Sequence, residues 1–379
     1  MAENSKINDK RIHSLRQQDE EYNALFRKWR TDRANKFGYY LSGSTENTYK
    51  EGEGFAGQYP AADERETLGQ SISLLTQVLL LFTLCETISK FLFSDFPFNA
   101  PLGITLAREG YATVADFPHI FASYVSNILT RLIPVTYLLV RLRIPIRLVV
   151  PLKITNKPLF RSSIPIAMLT FGIMYVCSSL SEYILYPSGG RRPVFFPNGG
   201  MTREEFPMVI LYCLVIPVIS EIIHRGVFLQ IFRQYGDGYA LLLTSMVAAF
   251  TSIEDESLMI FFYSLMIGYS TLRTGSVITA IVMRIIISGG YFCISSLSTG
   301  ASEQMRDLII SISVLVIIGI GIVSLIRFIS TYSNRISLPL YSLYVSDFEK
   351  LMLVLANPGF IIWAVFYLGS ILWSMTFAA

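Results

Sequence analysis

The sequence is poor in charged residues for a chain of its length. Only 16% of its 379 residues are Asp, Glu, Lys or Arg, whereas a soluble globular domain contains about a quarter. Apolar runs of about 18 to 25 residues recur from Leu68 onward, each long enough to cross a hydrocarbon core of roughly 30 Å. The shortage of charge therefore excludes an ordinary soluble protein and predicts an all-α, polytopic transmembrane helical bundle.

Cysteine is scarce, and basic residues are hardly in excess. The four cysteines lack C-x-x-C spacing, which argues against disulfides and zinc-thiolate sites and favours small, buried apolar side chains. These residues are Cys85, Cys177, Cys213 and Cys293. The net charge is +3, so bulk charge gives no reason to expect a nucleic-acid partner. The expected partners are membrane lipids, and no metal or other cofactor is predicted.

The apolar runs predict eight or nine membrane spans after a polar tail. The predicted spans are 69–94, 119–140, 161–186, 206–233, 238–254, 257–273, 276–297, 307–329 and 359–378. The fifth and sixth are separated by only a few polar residues around "EDES", which leaves the count open between eight and nine. In the tail, aromatic and aliphatic residues recur at helical spacing between Glu20 and Arg33 and predict an amphipathic helix.

The loops predict the orientation of the chain. The connection after the second span, "VRLRIPIRLVVPLKITNKPLFR", carries six basic residues, whereas the connection before it carries only Arg108. The positive-inside rule therefore places the N-terminal tail and the basic connection in the cytoplasm. The tail has no short apolar segment typical of a cleaved signal peptide. We expect a multi-pass integral membrane protein, in the plasma membrane, with a cytoplasmic N-terminus.

Charged residues interrupt the fourth span in the stretch "VISEIIHRGVFLQ". Ser220 and His224 are one helical turn apart, and so are Glu221 and Arg225. An ion pair between Glu221 and Arg225 gives the lowest free-energy cost for keeping either charge inside a membrane. The spacing thus predicts a polar centre in the middle of this helix.

Two later residues are expected at the same centre. Ser220 and Glu254 lie equally far in sequence from a turn at Asp237, so two antiparallel helices would place them at a similar depth. Arg284 lies well inside another apolar run with Ser288 one turn later, so we expect Arg284 to face the interior and to meet Glu254 or Glu221.

These motifs resemble those of the CAAX-protease and bacteriocin-processing family of intramembrane endopeptidases, also called the ABI family. Its members carry Glu-Glu-x-x-x-Arg, Phe-x-x-x-His and His-x-x-x-Asn (or Asp) on successive helices. Here "SEIIHRG" corresponds to the first motif, "FTSIE" to the second and "RIIIS" to the third. The intervening "GYSTLRTGSVITAIVM" is close to the family's approach to its third motif. The resemblance covers residues 206–297.

The resemblance implies roles for six residues. In the family, the first motif's glutamate and the following histidine activate a water, and the third motif's polar pair stabilises the oxyanion. Serine stands where the first glutamate belongs, and glutamate, arginine and serine replace the later histidines and asparagine. The candidate catalytic residues are Ser220, Glu221, Arg225, Glu254, Arg284 and Ser288. The implied activity is hydrolysis of peptide bonds in membrane-associated substrates, weakened or lost in this chain.

Composition, hydropathy and the resemblance together divide the chain into four regions. Residues 1–67 form a cytosolic polar tail, 68–200 the N-terminal transmembrane helices, 201–300 the CAAX-protease-like core and 301–379 the C-terminal transmembrane helices. Within the last region, 330–357 predicts an interfacial helix that covers the mouth of the bundle.

Other functions remain open for the same residues. A non-catalytic scaffold, or a protein that binds hydrophobic or lipidated peptides, would keep the fold without hydrolysis. Ser220, His224 and Glu254 have the side-chain types of a serine hydrolase, although a serine and histidine at i, i+4 rarely reach attack geometry. Glu221, His224 and Glu254 have those of a metal site, which the neighbouring Arg225 disfavours.

Overall fold

The computed structural model of the protein describes residues 24–25, 28–29, 49–50, 54–55, 60–93, 117–185, 206–251, 257–297, 302–332 and 344–378. Within these ranges the chain is helical apart from the connecting turns and loops and one short antiparallel pair of strands, β1 (Tyr49–Lys50) and β2 (Gly54–Phe55). The helices are α1 (Pro60–Phe93), α2 (Phe117–Leu142), α3 (Ile146–Val149), α4 (Lys157–Leu185), α5 (Phe206–Phe232), α6 (Asp237–Thr251), α7 (Ser257–Thr274), α8 (Val277–Leu297), α9 (Glu303–Tyr332), α10 (Asp347–Leu355) and α11 (Pro358–Ala378). The predicted all-α, polytopic fold is confirmed.

A helix occupies each of the nine predicted spans, but not all of these helices are long and apolar enough to cross a membrane. Six helices of the described chain meet that standard, and a seventh span arises if α10 and the start of α11, bent by 65°, count as one. The two predicted spans that fall short are α6, which has 15 residues, and α7, which ends in the polar stretch 270–274. Together they form a short antiparallel hairpin beside the longer helices.

Contacts between distant segments bring several helix ends to one face of the bundle. The Lys350 ammonium of α10 donates to the carbonyl oxygen of Tyr235 at 2.7 Å, and it forms an ion pair with Glu64 at the start of α1 at 3.2 Å. Both side chains of this ion pair are fully buried. The start of α1, the end of α5 and the helix α10 therefore lie on the same face.

The turn between α7 and α8 is bonded to the segment between α3 and α4. Ser276 donates from its hydroxyl to the carbonyl oxygens of Pro151 and Leu152, both at 3.1 Å. The Thr155 amide donates to the carbonyl oxygen of Thr274 at 3.1 Å. Gly275 has φ 70°, a backbone conformation that suits glycine. The "RTGS" sequence thus holds two loops together on the same face of the bundle.

The buried apolar side chains form two clusters. The first joins α1, α2, α6 and the C-terminal half of α5, and includes Val227 and Phe228. The second joins α4, α7, α8 and α9, and includes Tyr263 and Ile287. Because α5 belongs to the first cluster and packs against α7 and α8 of the second, its polar residues lie at the boundary between the clusters.

Two predictions outside the core meet the structure in part. Only four residues of the predicted amphipathic helix 20–33 are described; among them, the Trp29 indole donates to the carbonyl oxygen of Leu142 at 3.0 Å and is buried.

The prediction that the cysteines are buried is wrong for Cys177 and Cys293, which are exposed, while Cys85 and Cys213 are intermediate. Exposure of a thiol to lipid costs little free energy, because the thiol behaves as a small apolar group.

Candidate functional site

The helix α5, which carries the first motif, is not a regular α-helix. Two π-helical turns, Leu211–Val215 and Ile222–Phe228, alternate with α-helical segments. Pro217 follows the first wide turn, and its missing N–H and bulky ring disfavour the normal α-helical pattern just before it. The second wide turn contains His224, Arg225 and Gly226. Such turns are frequent at functional sites, and the sequence periodicity did not predict them.

The predicted ion pair between Glu221 and Arg225 is present. The Arg225 Nε lies 3.6 Å from Glu221 Oε2, a distance that allows charge attraction but no hydrogen bond. Glu221 is 3% exposed and Arg225 is fully buried. The two charges are therefore enclosed together inside the bundle.

The neighbouring helix α7 anchors the Arg225 guanidinium. Its Nη2 donates a hydrogen bond to the backbone carbonyl oxygen of Ser264 at 2.7 Å. A Cβ atom at Gly268 would lie 3.4 Å from Arg225 Nε and 2.5 Å from a methyl carbon of Leu241. Gly268, the glycine that precedes "RTGS" in the sequence, thus makes room for the buried guanidinium.

Arg284 of α8 contacts the residue next to Ser264. Its guanidinium carbon lies 4.4 Å above the centre of the Tyr263 ring, within the range of a cation–π interaction. Arg284 is of intermediate burial, so it faces the packed side of its helix. Of its two expected partners, Glu254 lies outside the described residues, and the pairing of Arg284 with Glu254 or Glu221 stays a prediction.

His224 contacts Thr251 of α6. Its Nε2 lies 3.3 Å from the hydroxyl of Thr251, and its ring packs against Phe228 with the ring centres 6.1 Å apart. His224 and Thr251 lie almost equally far in sequence from Asp237, which agrees with the antiparallel register predicted for α5 and α6. Ser220 is of intermediate burial, one residue before the ion pair.

Two further motif residues lie where α5 meets its neighbours. The Cys213 thiol is 3.6 Å from the carbonyl oxygen of Ser288, so this part of α8 lies beside the first wide turn of α5. A Cβ atom at Gly226 would fall on the carbonyl oxygen of Val149. Gly226 is therefore required for the close approach of α3 to the motif helix.

The centre retains unused hydrogen-bonding capacity. Glu221 Oε2 and the Arg225 atoms Nε and Nη1 make no hydrogen bond to any residue that the structure describes. No three His, Cys, Asp or Glu side chains within the described ranges come together as a metal site would require. The described residues thus provide a paired carboxylate and two arginines, while His224, three residues after Glu221, contacts Thr251 of α6.

Some residues of the centre were not foreseen. Ser264 acts through its backbone carbonyl, which no side-chain pattern reveals, and Tyr263 reads in the sequence as an ordinary apolar position of a helix. The sequence did draw attention to Gly268, because this glycine opens the family-like stretch "GYSTLRTGS".

Comparison with known proteins agrees with the motifs. Residues 202–290 match the family model described as Type II CAAX prenyl endopeptidase Rce1-like. No curated protein and no solved structure matches the chain. The matched segment contains α5 to α7 and α8 as far as residue 290, and therefore the whole of the described polar centre. Through residues 202–290, this integral membrane protein is similar to the Rce1-like family of type II CAAX prenyl endopeptidases.

Proposed function

We propose that this protein is a non-catalytic member of its family, which binds hydrophobic or lipidated peptides in the membrane and has lost peptide-bond hydrolysis. One observation carries the proposal. The remaining motif glutamate, Glu221, is 3% exposed and paired with Arg225, while Ser220 stands where the water-activating glutamate belongs.

The chemistry of hydrolysis explains why these replacements matter. A water attacks a peptide carbonyl only when a base removes its proton and donors stabilise the oxyanion. A serine hydroxyl such as that of Ser220 is not a base at neutral pH. Arg284 could still stabilise an oxyanion, but its guanidinium cannot take up a proton as the family's histidine can. An oxyanion donor without a base supports binding of a carbonyl group better than its cleavage.

The proposal is tested with the protein reconstituted in lipid nanodiscs and a farnesylated peptide that ends in a CAAX sequence. We expect saturable binding of the peptide and no release of its last three residues, measured by mass spectrometry. The variant Ser220→Glu/Glu254→His/Arg284→His/Ser288→Asn restores the family's residues and is expected to gain cleavage. Cleavage by the unmodified protein would overturn the loss of hydrolysis, and absence of peptide binding would overturn the binding role.

A second candidate function is residual hydrolysis that depends on Glu221. The observation in its favour is the Oε2 atom, which makes no hydrogen bond to the described residues and can therefore accept one from a water. This candidate requires that Glu221→Gln abolishes cleavage while the melting temperature in detergent is retained. The matched control is Glu349→Gln, which changes a partly exposed glutamate of α10 that pairs with Arg65 and must leave cleavage unchanged.

A further inference from the structure

The segment 141–161, from the last residues of α2 to the beginning of α4, carries a dense and uniform positive charge. Its 21 residues include six basic side chains and no acidic one. The six are Arg141, Arg143, Arg147, Lys153, Lys157 and Arg161, and all of them are exposed. We call this segment the basic platform.

Apolar side chains are exposed among these cations. Ile146 is 73% exposed and Leu152 is 58% exposed, and Val140, just before the platform, is 71% exposed. Apolar side chains beside lysine and arginine are typical of segments that lie in the membrane interface, with the apolar groups at the acyl boundary and the charges among the headgroups. On a surface that contacts only water, nothing would favour the exposure of these apolar side chains among the cations.

The backbone of the platform is fixed from within the bundle. Leu148 and Val149 are buried at 1% and 3% exposure, and the Val149 carbonyl packs against Gly226 of α5. Farther along, the Ser276 hydroxyl donates to the carbonyl oxygens of Pro151 and Leu152. The platform thus presents its charges from a rigid support that contacts both the motif helix and the "RTGS" turn.

We propose that the basic platform is a binding surface for the headgroups of anionic phospholipids in the leaflet next to it. Clusters of four to eight basic residues directly beside transmembrane helices attract acidic lipids, with about 1 kcal/mol from each cation near the surface. An acidic protein partner would use the charges but would leave Ile146 and Leu152 in water. The lipid headgroup layer accommodates both kinds of side chain. This proposal does not depend on whether the polar centre hydrolyses peptides.

The experiment measures lipid retention in native mass spectrometry after extraction from nanodiscs that contain phosphatidylcholine and phosphatidylglycerol in equal amounts. The unmodified protein is expected to retain phosphatidylglycerol preferentially, and the preference is expected to fall with rising salt. The variant Arg143→Gln/Lys157→Gln is expected to weaken phosphatidylglycerol binding about fivefold for each cation removed. The matched control is Arg306→Gln/Arg327→Gln, which removes two basic residues of α9 and should keep the preference.

Equal retention of the two lipids by the unmodified protein would overturn the proposal, as would an unchanged preference in the Arg143→Gln/Lys157→Gln variant. A soluble poly-glutamate peptide serves as the second probe. Binding of this peptide without any lipid preference would assign the platform to an acidic protein partner instead. Far-ultraviolet circular dichroism and the melting temperature of each variant separate loss of lipid binding from loss of folding.

Discussion

Arg225 of α5 is bonded through its guanidinium to the backbone carbonyl oxygen of Ser264 on α7, at 2.7 Å. The same side chain lies beside Glu221, and Arg284 contacts the adjacent Tyr263. Two arginines from different helices therefore contact consecutive residues of α7. The polar centre joins three helices in addition to carrying the family motif.

Arg225→Met should strongly destabilise the protein. The substitution leaves the buried Glu221 carboxylate without its cation, and breaking a buried ion pair from one side costs about 3–5 kcal/mol. Adding Glu221→Gln removes the orphaned charge, so the double variant should be more stable than Arg225→Met alone. Chemical denaturation in detergent measures both values. The Glu221→Gln variant completes the cycle, and a double variant whose loss equals the sum of the two single losses would show that the two side chains are not coupled.

Gly226→Ala should destabilise by about 1–3 kcal/mol, because overpacking forces a shift of the surrounding backbone. The new methyl group would meet the Val149 carbonyl oxygen. Gly69→Ala in α1 is the matched control, since nothing lies within 4 Å of a Cβ atom there. That control should stabilise the helix by up to about 1 kcal/mol. Melting temperatures that shift in the same direction for both variants would contradict the close packing at Gly226.

Lys350→Met should destabilise the face where α1, α5 and α10 meet. The buried ammonium bonds Tyr235 and pairs with Glu64, so its removal leaves a buried carboxylate and costs about 3–5 kcal/mol. Asp347→Asn is the control, because that side chain is 66% exposed and 3.5 Å away from the ammonium; it should change stability by less than about 1 kcal/mol. The rate of proteolysis of the C-terminal segment is a second measurement, and it should rise only in Lys350→Met. Equal rates for the unmodified protein and both variants would argue against anchoring of α10 by Lys350.

Ser276→Ala should loosen the "RTGS" turn. The hydroxyl donates to the carbonyl oxygens of Pro151 and Leu152 and accepts from the Ile278 amide at 3.2 Å. Loss of such a cap and its buried bonds costs about 1–2 kcal/mol. Ser330→Ala removes an exposed hydroxyl of α9 and should be nearly neutral. Hydrogen exchange at Val277, whose amide bonds Pro151, should accelerate in the first variant and not in the second.

The pairing of Arg284 with Glu254 stays a prediction, and charge reversal tests it. Arg284→Glu and Glu254→Arg should each destabilise, and the double reversal should recover part of the loss if the side chains meet. Thermal unfolding of the four proteins in nanodiscs gives the coupling energy. Additive losses in the double variant would mean that Arg284 depends on Tyr263 and other neighbours alone.

The sequence predicted the features that depend on hydropathy and residue spacing. Long apolar runs located the helices, and the i, i+4 spacing of Glu221 and Arg225 predicted their ion pair. The positions around Asp237 predicted the antiparallel register in which His224 reaches Thr251. These features follow from local periodicity, which the sequence carries directly.

Other features depend on contacts between segments far apart in the chain. Lys350 lies in an amphiphilic stretch that predicted an interfacial helix, yet it is fully buried because Glu64, nearly 300 residues away, supplies its counter-charge. The anchoring of Arg225 by the Ser264 backbone leaves no trace in residue types. The wide turns of α5 shift the helical phase by an amount that a period of 3.6 residues does not describe.

The wide turn Ile222–Phe228 holds one residue more than an α-helical turn of the same height. Deletion of one residue normally rotates everything that follows in a helix by about 100°. Within this turn, the same deletion would tighten the backbone to the ordinary pitch and leave the helix beyond Leu229 in place. α5 can therefore change its length by one residue at the polar centre itself, so insertion and deletion, as well as substitution, are routes by which evolution can rebuild this site.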